Sequence, residues 1–386
     1  MTQRRPSLAT VLYEWGRIGC IGFGGPPTHI KLLRDLCVHR RKWLTAVEFE
    51  DAVAACNLLP GPASTQLAIF CAWRQRGRPG ALVGGVAFIV PGLIIILALA
   101  TLFLASAPPR AILAAGAGAG SAVAAVAVHA AATLLPDSWR RVRPEGRVRR
   151  LRWAAYLVAG TASAALIGPW LVLVLLACGA IEIAARYDAT RRTLLPPIPV
   201  LAAGGFAAGP LAALAWVAFK VGALSYGGGF VIIPLMQADA VNHYHWLSDA
   251  QFLNAVALGQ ITPGPVVQTV AVIGYAAAGI AGGVLAAAVA FSPSFAFILL
   301  GAHHFDRLRS NPTVRAFLDG AGPAAVGAIA GSAITLARSL TQPWQYAILG
   351  AAAITLLALR RGVVLTLLGA AATGIVLTTA GLPLPH

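Results

Sequence analysis

The sequence predicts an all-α polytopic membrane protein that contains an inverted-topology internal repeat with re-entrant helical hairpins. Three observations lead to this prediction: the composition, the distribution of charge and a match of the sequence to itself. Of the 386 residues, 58% are hydrophobic and only 11% are charged, whereas soluble globular proteins carry about 25% charged residues. Uncharged stretches over 81–107, 264–302 and 362–386 each exceed the length of about 20 residues that a helix needs to cross a bilayer.

The distribution of charge indicates which loops face the cytoplasm. The net charge is +16, from 29 Lys and Arg against 13 Asp and Glu. The basic residues cluster between apolar stretches, at 31–42, 74–78 and 140–152, as the positive-inside rule describes for cytoplasmic loops. We therefore expect this charge to mark membrane topology, with a share of it attracting an anionic solute. A nucleic acid partner is not expected.

A match of the sequence to itself, at an offset of 203 residues, is the most informative feature. The alignment runs without a gap from Arg17 to Ala68. It pairs Gly24-Gly25 with Gly227-Gly228, Phe23 with Tyr226, Trp43-Leu44 with Trp246-Leu247, and Pro60-Gly61-Pro62 with Pro263-Gly264-Pro265. We expect two transporter halves, residues 1–190 and 191–386.

Basic loops of one half align with uncharged loops of the other. The cationic loop over 31–43 corresponds to 234–246, which has no Lys or Arg, and the basic stretch 74–78 corresponds to the uncharged 277–281. Matching loops therefore lie on opposite membrane faces. This inversion is the architecture of many secondary transporters.

The predicted elements follow from these patterns. Residues 46–60 and 62–75 are two helices too short to span, which predicts a re-entrant hairpin with Pro-Gly-Pro as its tip. A second hairpin covers 249–279. The predicted spans are 81–106, 111–135, 153–168, 169–186, 205–230, 281–302, 316–339, 343–359 and 363–382, with a cytoplasmic connector over 187–199. The symmetry puts the N-terminus outside, whereas Arg4 and Arg5 favour the cytoplasm, so its side stays open.

Glycine-rich breaks interrupt the first helix of each half, within 19–30 and 222–234. A broken helix leaves backbone N–H groups that can face an anion, although small residues also allow close helix packing. Recurrence in both halves favours an anion site. The candidate substrate-binding residues here are Gly24, Gly25, Tyr226, Gly227 and Gly228.

Neutral hydrogen-bonding side chains flank each Pro-Gly-Pro turn, which starts the return arm of a hairpin. A partly dehydrated oxyanion needs such donors beside a helix N-terminus, but capping of the arms would use the same residue types. The candidate substrate-binding residues here are Asn57, Pro60, Gly61, Pro62, Thr65, Gln66, Gln260, Thr262, Pro263, Gly264, Pro265, Gln268 and Thr269.

Two cations, Arg17 and Lys220, occupy equivalent positions before the glycine breaks. A cation inside an apolar helix is a functional-site hypothesis, so both are candidates for substrate binding. The alternatives are an ion pair of Arg17 with Glu14 on one helix face and snorkelling to the interface. Glu14, Glu48 and Asp51 are weaker candidates for a coupling proton; acids at helix N-termini are the alternative for Glu48 and Asp51.

At these motifs the sequence resembles the chromate ion transporter family in its two-domain long form. The resemblance is carried by FGGPPTHI (23–30), LPGPASTQLAIF (59–70), YGGGFVIIPLM (226–236) and QITPGPVVQTVAVIGY (260–275). It implies a multi-pass protein of the bacterial or archaeal inner membrane that exports chromate, with coupling to the proton-motive force.

Three alternatives stay open beside chromate export. Chromate and sulfate share charge and tetrahedral shape, so uptake of sulfate or another anion is the first. A membrane enzyme acting on lipid head groups is another, but the sequence lacks the nucleophile, metal or carboxylate-pair motifs that it would need. A passive channel is the third. We expect no enzyme activity, no cofactor and no metal; the expected partners are a small oxyanion and membrane lipid, and a homodimer is left open.

Overall fold

Most of the described part of the chain is helical. The structure, a computed structural model, describes residues 6–57, 59, 61–166, 171–186, 209–225, 229–302 and 311–385. Among these residues, four helices are long and apolar enough to cross a membrane: Ala63–Phe103, Arg110–Val142, Val266–Gly301 and Pro312–Arg338. The predicted fold class, an all-α membrane protein, is confirmed.

Equivalent helices occur in the same order in both halves. The helices of the first half are α1 (Leu8–Ile21), α2 (Pro26–Arg34), α3 (Ala46–Cys56), α4 (Ala63–Phe103), α5 (Arg110–Val142), α6 (Arg147–Leu166) and α7 (Leu171–Arg186). Those of the second half are α8 (Pro210–Leu224), α9 (Ile233–Gln237), α10 (Asp249–Ile261), α11 (Thr269–Gly301), α12 (Pro312–Arg338), α13 (Pro343–Ala353) and α14 (Val363–Thr379). A π-helical turn follows α2 over Asp35–Arg40 and α9 over Ala238–His243.

The first arm of each hairpin starts with a capping box. At α3 the Thr45 hydroxyl accepts the N–H of Glu48, whose carboxylate accepts the N–H of Thr45. Ser248 and Gln251 make the same reciprocal bonds at α10. Each box satisfies two backbone donors that the helix cannot pair internally, so both arms begin at positions fixed by local sequence.

Both hairpins have arms too short to cross a bilayer. The first arms have 11 residues in α3 and 13 in α10, or about 16–20 Å at 1.5 Å per residue. The return arms are the first segments of α4 and α11, which leave helical geometry where Gly77 and Gly279 adopt φ angles of 61° and 63°. These breaks agree with the predicted hairpin ends at residues 75 and 279. After them, 78–103 and 280–301 are long enough to cross.

The helix predicted over 205–230 is shorter than expected. The described helix, α8, runs from Pro210 to Leu224 and leaves helical geometry at Ser225, with ψ of 107°. Its counterpart α1 has 14 residues and ends at Gly22. Residues 205–208, 226–228 and 167–170, and the predicted connector over 187–199, lie outside the described residues.

Close contacts at glycines give the directions of the central helices. Gly84 of α4 lies against Val11 and Trp15 of α1, and Gly19 of α1 lies against Phe88 of α4, so α1 runs parallel to the second segment of α4.

The two central helices run in opposite directions. Gly85 of α4 lies against Phe295 of α11, and Gly283 of α11 against Leu97 of α4. The second segments of α4 and α11 are therefore antiparallel. Whether the halves form an inverted repeat across the membrane stays a prediction, taken up below as a proposal.

Candidate functional site

The tip of each hairpin is bonded to the broken helix of the other half. The Gly61 N–H donates to the Ser225 carbonyl at 2.6 Å, and the Gly264 N–H donates to the Gly22 carbonyl at 3.1 Å. Donors and acceptors are each 203 positions apart in the sequence, so the two bonds are equivalent. Gly61 and Gly264 have φ angles of 117° and 105°, which residues with a side chain rarely adopt. The predicted breaks and turns therefore meet in one place.

The central helices press against both tips. A Cβ atom on Gly61 would lie 2.6 Å from the Gln66 amide nitrogen and 3.2 Å from the Ser294 hydroxyl of α11. At the other tip, a Cβ atom on Gly92 of α4 would collide with the Pro263 carbonyl. Larger residues at these positions would push the tips away from the helices behind them.

In the described part of the chain, four buried polar side chains near the tips have a hydrogen-bond donor with no partner, and Gln268 has an unpaired acceptor, its amide oxygen. The four donors are the hydroxyls of Thr65, Ser225 and Ser294 and the amide nitrogen of Gln260. Each residue is at most 7% exposed. An unpaired buried polar group costs about 1–3 kcal/mol, so a ligand that accepts hydrogen bonds would find donors already desolvated.

The return arms of the hairpins begin without a side-chain cap, as far as the described residues show. This holds for α4 after Pro62 and for the short turn and helix after Pro265. Capping therefore does not account for Thr65. Three other predicted donors are bonded to carbonyls: Thr262 to Leu258, Gln268 to Ile89 and Thr269 to Val266.

A cavity of about 670 Å³ reaches the first hairpin tip. Asn57, Gly61 and Ala63, the first residue of α4, line one end of it. The charged residues along its wall are Asp137, Arg141, Arg315 and Asp319. We call this space the basic cavity, because it lies between the C-terminal end of α5 and the N-terminal part of α12, where the arginines are.

A second cavity, of about 330 Å³, lies against α5 and α10. Its polar lining is neutral and consists of Ser106, Ser248, Gln251, Asn254, Ser339 and Gln345. We call it the neutral cavity. Among the described residues, those of the second hairpin tip do not border it.

The structure separates the two candidate cations from both cavities. Lys220 is bonded to Asp239 at 2.6 Å, and its side chain is 20% exposed. Arg17 is exposed on α1. Glu14 pairs with Arg41 at 2.5 Å instead of with Arg17.

The acidic candidates lie at the start of the first hairpin. Glu48 is held by its capping box and by Arg74 at 2.7 Å. The Thr45 backbone N–H, aided by the Thr45 hydroxyl and Arg74, holds the pKa of Glu48 below its usual value despite some burial. Glu48 therefore stays ionised, which suits a capping residue better than a proton carrier. Asp51 is half-buried on the same arm.

The glycine break of the first half is described throughout, whereas that of the second half is described only in part, with Gly229 at a φ angle of 92°. Gly24 and Gly25 adopt φ angles of 95° and 74°, and Gly25 precedes the first residue of α2. Four candidates lie outside the described residues: Pro60, Tyr226, Gly227 and Gly228.

Sequence reasoning missed three residues that lie at the tips, His29, Ser225 and Ser294. His29 is 0% exposed and contacts the Gly22 carbonyl and the Ser64 hydroxyl. The sequence feature that could have indicated His29 is the presence of an ionisable residue inside the FGGPPTHI motif, residues 23–30. Ser294 follows a proline inside α11 at the position that Gly92 holds after Pro91 in α4, so comparing the two halves further along would have found it.

Comparison with known proteins identifies the family. The family model described as Chromate transporter matches residues 9–183 and 212–375. The chain is 33% identical over 333 residues to a chromate transport protein of Cupriavidus metallidurans, covering 83% of this chain and 80% of that one. It is 29% identical to a probable chromate transport protein of Synechococcus elongatus, covering 86% and 85%. It is 28% identical to a chromate transport protein of Pseudomonas aeruginosa, covering 83% and 79%.

No solved structure matches the chain. The family model and the relatives described above are named as transporters, which agrees with the expectation that this chain is a transporter and not an enzyme. They also agree with the resemblance seen in the hairpin motifs. The chain belongs to the chromate transporter family.

Proposed function

We propose that this chain is a multi-pass secondary transporter that moves chromate, or a similar tetrahedral oxyanion, out of the cytoplasm across the inner membrane. The observation that carries the proposal is the pair of equivalent bonds at Gly61 and Gly264, which brings both hairpin tips together. In this proposal the halves, 1–190 and 191–386, form an inverted repeat, and the antiparallel central helices support it.

The binding site that we propose lies at the first tip, at the end of the basic cavity. The uncapped N-terminus of α4 supplies roughly half a positive charge, and Thr65, Ser225 and Ser294 supply hydroxyl donors. Neutral donors hold an oxyanion without the full attraction of a buried cation, so that it can leave again. Arg141 and Arg315 raise the local concentration of anions in the cavity.

The orientation that we propose puts the N-terminus and the basic cavity in the cytoplasm. The second segment of α4 follows the basic stretch 74–78, and α1 runs parallel to it. The basic residues 140–152 follow α5 on the side of the basic cavity. With positive loops inside, the basic cavity that reaches the first tip would face the cytoplasm, the side from which an exporter loads its anion.

Proteoliposome flux tests the proposal. Purified full-length protein is reconstituted, and accumulation of labelled chromate and labelled sulfate is measured with an imposed potential, with an imposed pH gradient and with an uncoupler. We expect chromate to accumulate against its gradient only while a gradient of potential or pH is maintained. Equilibration without accumulation would identify a channel. Transport of sulfate with no chromate flux would identify the sulfate alternative.

A further inference from the structure

One ionisable side chain lies at the joint between the two hairpin tips. His29 of α2 is 0% exposed. Its Nε2 atom lies 2.8 Å from the Gly22 carbonyl, which also accepts the N–H of the second tip, Gly264. Its Nδ1 atom lies 3.2 Å from the hydroxyl of Ser64, in the first turn of α4. The ring therefore links the return arm of the first hairpin to the tip of the second.

The partners of the ring fix its protonation in the neutral state. A carbonyl only accepts, so Nε2 carries the hydrogen that bonds to Gly22, and Nδ1 accepts the hydrogen of the Ser64 hydroxyl. A proton added at Nδ1 reverses this second bond. Nδ1 then donates to the Ser64 oxygen, and the hydroxyl hydrogen of Ser64 is free to bond to another acceptor.

The other half of the protein builds the same joint without polar groups. The residues equivalent to His29 and Ser64 are Ile232 and Val267, each 1% exposed. The fold therefore does not need a histidine–serine pair at this position. The polar pair occurs only beside the tip that the basic cavity reaches.

Among the described residues, His29 has no charged partner that would neutralise an imidazolium. The ring contacts a carbonyl, a hydroxyl and the ring of Phe88, with ring centroids 5.0 Å apart. No hydrogen bond or ion pair joins His29 to a titratable side chain in the described part of the chain. The titratable groups on its own helix and on the packed elements are Tyr13, Glu14, Arg17, Cys20, Lys31, Arg34, Asp35, Cys37, His39, Arg40, Glu48, Glu50, Asp51, Cys56, Cys71, Arg74, Arg76 and Arg78.

We propose that His29 is the residue that takes up a proton when the oxyanion binds. The inference rests on the function proposed above. In the empty site the ring is neutral; as the dianion binds at the first tip, one proton from the basic cavity adds to Nδ1. The imidazolium offsets one of the two negative charges, and the released Ser64 hydrogen bonds to the anion. Uptake of the proton thus raises the affinity for the anion, and binding of the anion raises the affinity for the proton by the same factor.

The proposal also explains how a dianion crosses the protein interior. An uncompensated buried charge costs several kcal/mol, and the added proton halves the charge that moves. The remaining net charge of the loaded anion is negative. Its outward movement is therefore driven by a membrane potential that is negative inside.

Calorimetry of chromate binding tests the proposal. The full-length protein in nanodiscs is titrated with chromate at about pH 8, where histidine is largely neutral and chromate is the dianion, in buffers that differ in ionisation enthalpy. The dependence of the heat on the buffer gives the number of protons taken up. We expect uptake of about one proton for each chromate bound. The apparent affinity for chromate is then expected to fall about tenfold for each unit by which the pH is raised.

Two variants separate His29 from other sources of protons. His29→Ile with Ser64→Val copies the pair that the second half already packs, so it is expected to fold, to bind chromate more weakly and to take up no proton. His29→Gln is a second variant with the same expected loss of proton uptake. His129→Gln is the matched control, because His129 is a half-buried histidine of α5 away from the joint, and its proton uptake is expected to equal that of the wild type.

The possible results separate the two proposals. Binding of chromate by the wild type without proton uptake overturns the role of His29, as does an unchanged uptake in either His29 variant. No binding of chromate by any of the proteins overturns the proposed function itself. One proton in the wild type and the control, and none in the His29 variants that bind, supports the inference.

Discussion

The basic cavity and the neutral cavity lie against equivalent helices but differ in chemistry. The first has a volume of about 670 Å³ and is lined by two arginines and two aspartates; the second has about 330 Å³ and a neutral polar lining. Counted from the equivalent breaks at Gly77 and Gly279, which are 202 residues apart, Arg315 and Asp319 of α12 correspond to Leu113 and Ala117 of α5. If the two halves form the proposed inverted repeat, the proposed direction of transport has to come from such differences in side chains.

Both aspartates of the basic cavity are paired with arginines, and Asp137 pairs with Arg140 at 3.1 Å. Asp319 is paired with Arg149 at 2.9 Å and with Arg186 at 2.5 Å. These pairs tie α12 to α6 and α7 behind the cavity wall. In the proposed exporter, the basic cavity would collect anions and the neutral cavity would release them.

An all-or-none difference in labelling is the largest effect that we expect from this comparison. In a variant without the exposed Cys20, a single cysteine replacing His243 should react with an impermeant thiol reagent added outside cells. A cysteine replacing Arg40, the equivalent residue, should react only in inside-out vesicles. Equal labelling of both from outside would contradict the inverted repeat and the assignment of the basic cavity to the cytoplasm.

Substitution at the tips should nearly abolish transport. An alanine at Gly61 would combine an unfavourable φ of 117° with a collision at Gln66, and a shift of about 1 Å in a binding site costs about a hundredfold in rate. We therefore expect chromate flux to fall about a hundredfold in Gly61→Ala and in Gly264→Ala at matched membrane expression. Gly350→Ala is the control, because nothing lies within 4 Å of its added methyl group. A loss confined to Gly61 would assign the site to the first tip alone, and wild-type flux in both would reduce the turns to packing features.

Removing charge from the basic cavity should have an intermediate effect. Arg141→Gln with Arg315→Gln is expected to raise the KM for chromate on the cytoplasmic side about tenfold, and to reduce its dependence on salt, because steering by surface charge is screened. The maximal rate should change little. The measurement is concentration-dependent flux into inside-out vesicles at two ionic strengths.

The neutral cavity provides the matched control for that prediction. Ser106→Ala with Asn254→Ala removes two polar side chains that line it and should leave the cytoplasmic KM and its salt dependence unchanged. An equal change in KM for both double variants would show that charge is not what distinguishes the cavities.

The sequence predicts the hairpins well because their determinants are local. The capping boxes, the Pro-Gly-Pro turns and the glycines at 77 and 279 each act within a few residues, so their positions can be read without knowing what packs against them. The end of α8 was placed too late, because Ser225 has no helix-breaking character of its own; its carbonyl is instead held by Gly61 of the other half.

The contents of the site depend on distant contacts and could not be predicted in the same way. His29 and Ser64 are 35 residues apart in sequence, and the two tip bonds join different halves. The sequence did not reveal that Lys220 pairs with Asp239, because Asp239 lies 19 residues later, beyond the glycine break of the second half. Aligning the halves finds equivalent positions, but it does not reveal which of them are in contact.

The smallest effect on transport is expected for the two cations outside the cavities. Lys220→Gln alone leaves Asp239 buried without its partner, at a cost of about 2–3 kcal/mol when the partial exposure of Lys220 is allowed for, so its flux would report loss of folded protein. The informative variant is therefore Lys220→Gln with Asp239→Asn, which removes both charges and keeps a pair of hydrogen-bonding side chains. We expect its KM for chromate, and that of Arg17→Gln, to stay within about threefold of wild type, because one removed pair is neutral overall and Arg17 is exposed. The measurement is flux in proteoliposomes at equal amounts of folded protein, checked by thermal unfolding. A rise in KM of tenfold or more in both variants would instead support the hypothesis that these cations bind the anion, and the site would then extend from the hairpin tips to α1 and α8.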